Sequence, residues 1–214
     1  MRAPLPGGRN GSLSRPALEF VPLEAFLVSL GTVAIAEIGD KTQLLALILA
    51  VRFRAPLAVI AGIFVATIAN HALAAFVGTL IAEWLTDAVL AWTVGISFLA
   101  MGVWALVPDA PPSEDEVAAP ARYGPFLATG LAFFLVEMGD KTQLATAALA
   151  AHYQSLLLVA LGTTLGMMAA NVPVVLLGEA AARCVPLRLV RFAAAALFIV
   201  LGLAALGSAY AYAS

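Results

Sequence analysis

Long apolar stretches separated by short polar segments dominate the chain from residue 23 onward. Six such stretches cover residues 23–51, 57–81, 88–107, 125–151, 156–177 and 187–210. A helix needs about 20 apolar residues to cross the roughly 30 Å hydrocarbon core of a bilayer. Between residues 57 and 81 the only strongly polar side chains are Asn70 and His71, so this segment lacks the polar face of a helix in a soluble bundle. The pattern predicts an all-α integral membrane protein with six transmembrane helices.

The composition agrees with a protein whose main solvent is the lipid bilayer. The chain is 63% hydrophobic and 11% charged, with a mean hydropathy of +1.00, whereas soluble domains carry about 25% charged residues. A net charge of −2 argues against a nucleic-acid partner, which would require a clustered basic face. The single cysteine, Cys184, argues against a disulfide, thiol redox chemistry and a structural zinc site.

Two segments differ in composition from the apolar stretches and suggest the domain organisation. Residues 1–20 are rich in glycine, proline and arginine and contain no apolar segment of the signal-peptide kind, so we expect a disordered tail. Residues 108–122 are acidic and rich in proline, which predicts a linker outside the lipid. Between and after them lie two units of three predicted spans each, residues 21–107 and 123–214.

The second unit repeats the first. Residues 36–44 read AEIGDKTQL and residues 136–144 read VEMGDKTQL, so seven of nine positions are identical. Because each unit has an odd number of spans, the second copy must enter the membrane in the opposite direction. The sequence therefore predicts two inverted three-helix repeats, an arrangement that places a substrate site between the repeats near the middle of the membrane.

The repeated motif carries the charges expected of a functional site. Glu37 and Asp40 are three residues apart, so on a continuous helix their carboxylates share one face, and Lys41 joins them. The second copy supplies the residues Glu137, Asp140 and Lys141. Each carboxylate inside a span costs about 2.5 kcal/mol or more, so all four should face the protein interior or water. The two lysines are the only ones in the chain and leave a charge of −2, which one divalent cation or two protons would neutralise.

Oxygen atoms dominate the potential ligand set, which suits hard cations such as Ca²⁺, Mg²⁺ or Mn²⁺. Further donors near the acids or in the same spans are Thr42, Gln43, Asn70, Thr142, Gln143 and Asn171. Three alternatives remain open. The charged groups could form a self-neutralising cluster that only joins helices, the two asparagines could be interhelical hydrogen-bond donors, and Gly39 and Gly139 could either break the helix or allow close packing.

The duplicated motif resembles the E-x-G-D-(K/R)-(T/S) signature of the Gdt1 or TMEM165 family of cation/Ca²⁺ exchangers. Both copies match it in full, and the three-plus-three layout covers nearly the whole chain after residue 20. The resemblance implies secondary transport of Mn²⁺ and Ca²⁺ in exchange for protons, and hence a role in metal homeostasis, with bacterial members similar to manganese exporters. It also implies cation binding by the motif acids Glu37, Asp40, Glu137 and Asp140. On this interpretation the protein is not an enzyme and has no resident cofactor, because the metal is cargo.

Other functions fit the pattern less well. An intramembrane aspartyl protease has a G-x-G-D motif, but here Glu37 and Glu137 stand where its first glycine belongs. An exporter of small organic solutes such as amino acids would need fewer acids, and a passive cation channel would show no saturation and no response to a proton gradient. The chain lacks a P-loop, so energy must come from an ion gradient. The sequence leaves open the preferred metal, the proton number and the oligomeric state, a homo-oligomer included.

The distribution of arginines predicts the orientation in the cell's inner (plasma) membrane. The side that holds the first, third and fifth connections carries Arg52, Arg54, Arg122, Arg183, Arg188 and Arg191, and the opposite side carries only the three arginines of the tail. Positive residues favour the cytoplasmic side. We therefore expect both termini outside the cytoplasm, so an alkaline phosphatase fused after Ser214 should be active and one fused within residues 108–122 inactive. An inactive fusion after Ser214 would contradict this orientation.

Overall fold

The computed structural model is all-helical and describes residues 15–108, 123–178 and 186–213, with side-chain surroundings given from residue 22 to residue 210. Eight helices lie within these ranges. They are α1 Arg15–Glu37, α2 Lys41–Phe53, α3 Pro56–Trp84, α4 Asp87–Trp104, α5 Pro125–Glu137, α6 Lys141–Tyr153, α7 Leu156–Leu177 and α8 Leu187–Ala213. Helices α1 to α4 belong to the first repeat and α5 to α8 to the second.

The two repeats end their helices in the same way. Helix α2 stops at Arg54 and helix α6 at Gln154, and both residues adopt a left-handed conformation with φ of 51° and 48°. Pro56 then begins α3, and a residue that precedes proline is disfavoured in a helix. The equivalent turns, one repeat apart, indicate that the duplication seen in the motif extends to the backbone.

Four helices, α3, α4, α7 and α8, are long and apolar enough to cross a membrane. Helices α1 and α2 pass the same criterion together but meet at an angle of 72°, so the pair counts as a fifth span only if it is read as one broken helix. Helix α5 is apolar but has only 13 residues. A multi-pass membrane protein is thus confirmed, whereas the six continuous spans are not, because the helix is interrupted at each copy of the motif.

Close helix contacts are made at glycines and follow the repeat. A Cβ atom on Gly62 of α3 would lie 2.6 Å from the carbonyl oxygen of Phe126 in α5, and one on Gly162 of α7 would lie 2.6 Å from that of Phe26 in α1. Small residues allow such close backbone approach between membrane helices. The contact of α3 with α5 is therefore the counterpart of the contact of α7 with α1.

The directions of the packed helices can be read from these contacts. Along α3, Gly62 meets Phe126 and Asn70 reaches Phe134, so α3 and α5 run in the same direction. Along α7, Gly162 meets Phe26 and Gly166 meets Leu30, so α7 and α1 are parallel as well. Helices α4 and α8 pack against each other in the opposite sense, since Gly95 meets Leu206 while Gly102 meets Ile199.

Part of the predicted domain organisation lies outside the described residues. This applies to residues 1–14 of the expected tail, to residues 109–122 of the expected linker and to Cys184. Helix α1 begins at Arg15, inside the segment expected as a tail. The tail and the linker stay predictions.

Candidate metal site

Each copy of the motif lies at a break between two helices. Three residues separate α1 from α2 and α5 from α6. Gly39 and Gly139 have φ of +81° and +80°, a left-handed conformation that glycine adopts at little cost. The amides of Asp40 and Asp140 donate to carbonyl oxygens three residues earlier, both at 3.1 Å. The expectation that Glu37 and Asp40 share one face of a continuous helix is wrong, and the alternative that glycine breaks the helix is correct.

The glutamines of the motif stabilise the turns at these helix breaks. Gln43 Oε1 accepts a hydrogen bond from the amide of Gly39 at 3.0 Å, and Gln143 Oε1 accepts one from Gly139 at 2.6 Å. Gln43 also donates from Nε2 to the carbonyl oxygen of Ala170 in α7 at 2.9 Å. Both side-chain oxygens therefore bond the backbone of the breaks in this structure, and the role of the two glutamines as cation ligands stays a prediction.

The broken helices direct their ends at the acids. Glu37 and Glu137 are the last residues of α1 and α5, and Asp40 and Asp140 occupy the N-cap positions of α2 and α6. The C-terminal end of a helix favours cations and the N-terminal end favours anions. Each break therefore offers a carbonyl-rich end to a cation and a positive helix end to an aspartate.

The two breaks bring all four motif acids together. Glu37 is 0% exposed, Glu137 is 1%, and Asp40 and Asp140 are 4%. One carboxylate oxygen from each residue lies within 4.8 Å of the other three. Ligands on opposite sides of a Ca²⁺ ion are about 4.6–5.2 Å apart, because each Ca²⁺–oxygen distance is about 2.3–2.6 Å. The four oxygens are thus spaced as the ligands of one hard cation would be.

The motif threonines fix the two glutamates. Thr42 donates from Oγ1 to Glu37 Oε2 at 2.7 Å, and Thr142 donates to Glu137 Oε2 at 3.2 Å. The other glutamate oxygens, both Oε1, are buried and have no hydrogen-bond partner among the described residues. Since buried acceptors are normally satisfied, these two oxygens are suited to a ligand that is a cation.

Each lysine forms an ion pair with the aspartate of the other repeat. Lys41 Nζ lies 3.5 Å from Asp140 Oδ1, and Lys141 Nζ lies 2.6 Å from Asp40 Oδ1. These ion pairs run between the repeats, and the alternative of a self-neutralising cluster that only joins helices stays a prediction. Two acids and one lysine from each repeat form a single group with a formal charge of −2.

Asn70 and Asn171 are fully buried but use their amide groups on the backbone. Asn70 Nδ2 donates to the carbonyl oxygen of Phe134 in α5, and Asn171 Nδ2 donates to that of Met167 in its own helix, both at 3.1 Å. Their Oδ1 atoms have no hydrogen-bond partner among the described residues. His71 is also fully buried, but it is not part of the four-carboxylate group.

Known proteins match this chain along most of its length. The model of a family described as "Divalent cation/proton antiporter GDT1" matches residues 25–113 and again residues 125–213. A protein of Vibrio cholerae serotype O1 named "Putative manganese exporter" is 48% identical over 195 residues, which cover 91% of this chain and 96% of that protein. No solved structure matches the chain.

The hydrogen bond from Thr142 to Glu137 gives a prediction for stability. The Thr142→Val substitution removes the hydroxyl and leaves Glu137 Oε2 buried without this donor, which should lower the free energy of unfolding by about 1–3 kcal/mol. Thermal unfolding in detergent with a metal chelator measures this, and Thr142→Ser should retain most of the stability. Thr93→Val is a matched control, because Thr93 is exposed and bonds only its own helix among the described contacts. Equal stability of the Thr142→Val and wild-type proteins would show that the hydroxyl does not hold the glutamate.

Proposed function

Because the chain belongs to the GDT1 family of divalent cation/proton antiporters, we propose that it exports a divalent metal in exchange for protons. Mn²⁺ is the proposed main cargo and Ca²⁺ a second one. The name of the Vibrio cholerae relative supports manganese. The observation that carries the proposal is the convergence of four buried carboxylates, two from each repeat, within 4.8 Å.

In this proposal Glu37, Asp40, Glu137 and Asp140 are the ligands of one cation. Ionised oxygens suit Mn²⁺ and Ca²⁺ and disfavour soft metals. Lys41 and Lys141 reduce the charge of the acids to −2, so one divalent ion makes the group neutral. Neutrality matters because an uncompensated charge inside a membrane protein costs several kcal/mol. The empty site would reach the same neutral state by taking up two protons.

We also propose that the two repeats are inverted. Helix α1 is parallel to α7, and α3 is parallel to α5. Because α2 and α3 are joined by only two residues, α3 should return across the membrane in the direction opposite to α1, and α5 would then oppose its counterpart α1. Broken helices that meet at the centre of an inverted repeat are typical of secondary transporters.

The proposed location is the inner (plasma) membrane, with both termini outside the cytoplasm. Arg52 and Arg54 lie at the end of α2, and Arg188 and Arg191 lie in the first turns of α8. In the inverted arrangement these helix ends share one side of the membrane, together with the end of α4. Arginines on this side support a cytoplasmic placement.

Each of the four acids should be required for transport. Glu37→Gln, Asp40→Asn, Glu137→Gln and Asp140→Asn each remove one anionic ligand, and even changes next to metal ligands lower affinity roughly 10–100-fold. We therefore expect Mn²⁺ uptake into everted membrane vesicles to fall by at least about this factor. Glu83→Gln is the matched control, since Glu83 is an exposed acid at the end of α3. Wild-type transport by both glutamine variants of the motif, with equal membrane levels, would leave the acids only a structural role.

Metal and protons should compete for the same oxygens. Metal binding requires deprotonated ligands, so the apparent affinity for Mn²⁺ should fall as pH falls, by up to about 100-fold per pH unit if two protons are exchanged. A two-proton exchange moves no net charge. Flux into proteoliposomes clamped with valinomycin at equal internal and external pH should therefore respond little to voltage.

Two results would contradict this coupling. An affinity for Mn²⁺ that does not change with pH would exclude protons from the carboxylate site. A flux that changes severalfold with voltage alone would exclude the electroneutral two-proton scheme. Flux that neither saturates nor responds to a proton gradient would instead indicate a passive channel.

A further inference from the structure

The two copies of the motif are nearly identical in sequence but unequal in their surroundings. The Lys141 side chain is 5% exposed and lies 2.6 Å from Asp40, whereas the Lys41 side chain is 26% exposed and lies 3.5 Å from Asp140. The Lys141–Asp40 ion pair therefore has the shorter distance and is buried. The Lys41–Asp140 ion pair consists of the same residue types at equivalent positions, but its distance is longer and its lysine is partly exposed.

The two helix breaks also differ in how closely other residues pack against them. A Cβ atom on Gly39 would lie 2.5 Å from Leu187 at the start of α8, but one on Gly139 would have no atom within 4 Å among the described residues. Met138 is 51% exposed, whereas its counterpart Ile38 is partly buried. Leu187 of α8 therefore lies against the first break, and no described residue lies equally close to the second.

The packing of helices α4 and α8 accounts for this difference between the two breaks. Helix α8 packs along α1, and helix α4 packs along α6. The counterpart contacts, α4 with α5 and α8 with α2, are at most marginal among the described residues. The α4–α8 pair thus packs against the helix before the first break and the helix after the second break.

A cavity of about 160 Å³ lies against the buried pair. Its lining includes Asp40, Lys141 and Ile38 at the breaks and Leu187 and Arg191 in α8. Despite this cavity, the Asp40 side chain is 0% exposed. The Lys141–Asp40 pair therefore borders this cavity.

We propose that the two lysine–aspartate pairs are latches that open in alternation, with Lys141–Asp40 closed and Lys41–Asp140 loosened in the conformation described. Two segments of nearly the same sequence that occupy different environments can exchange them at little cost, which makes the assembly bistable. Each ammonium occupies an aspartate until a cation competes for it. Lys41 and Lys141 are thus positioning residues that act through the aspartates.

This inference rests on the proposed function, but it can be tested without any cation. Cysteines are introduced at Ile38 or at Met138 in a Cys184→Ser background, and their labelling by a small water-soluble thiol reagent is measured on the full chain in nanodiscs with a chelator. Lys141→Gln removes the closed latch, so labelling at position 38 should rise and labelling at position 138 should fall. Lys41→Gln should change the ratio in the opposite direction. We expect each change in the ratio to be about fivefold or more, the lower range of conformational coupling.

Controls separate a latch from a general effect on packing. Lys141→Arg and Lys41→Arg keep the positive charge and should keep the wild-type ratio. A lysine with a merely structural role would give increased labelling at both positions, and that result, or no change at either position, would overturn the proposal. If Lys141→Gln does not fold, the partly exposed Lys41→Gln still gives a decisive ratio. Failure here would leave metal transport by the four acids intact, since no cation takes part in the labelling.

Discussion

Ionised groups in the interior of a membrane protein must be neutralised by other groups of the protein or by a ligand, and the arrangement of the two repeats follows from this requirement. Four buried carboxylates cannot be placed together in hydrocarbon without positive charge close by. The chain supplies two ammonium groups, and each reaches the aspartate of the other repeat. The charges of one repeat are thus partly compensated by the other, and in the proposed function the cargo neutralises the residual formal charge of −2.

The helix breaks make this arrangement possible. A continuous helix through the motif would hold Glu37 and Asp40 on one helix face and would keep its backbone groups engaged. The turn at Gly39 instead ends one helix at the glutamate and starts the next after the aspartate. The freed backbone is compensated by Gln43, which accepts from the Gly39 amide and donates to α7. The glutamine, glycine and threonine of the motif thus hold the breaks and the glutamates in place.

The sequence was informative where the signal is local or repeated. The apolar stretches predicted a helical membrane protein, and the offset of 100 residues between the motifs predicted that four acids would act together. Two features could not be predicted. Lys41 pairs with Asp140 only because the two motifs lie next to each other in the folded protein. The break at Gly39 was one of two interpretations of a glycine that also suits close packing. The first depends on tertiary contacts, and the second on a choice of backbone conformation, neither of which one sequence shows directly.

The central claim, that both repeats contribute to one cation site, is tested most directly by the number of Mn²⁺ ions that the purified protein binds. Equilibrium dialysis with metal analysis should give one Mn²⁺ per chain. Neutralising both acids of one repeat, as in Glu137→Gln with Asp140→Asn, should abolish binding because the remaining two acids cannot hold the ion alone. Two ions per chain, or one ion retained by that double variant, would mean that each repeat binds metal by itself and would contradict the shared site.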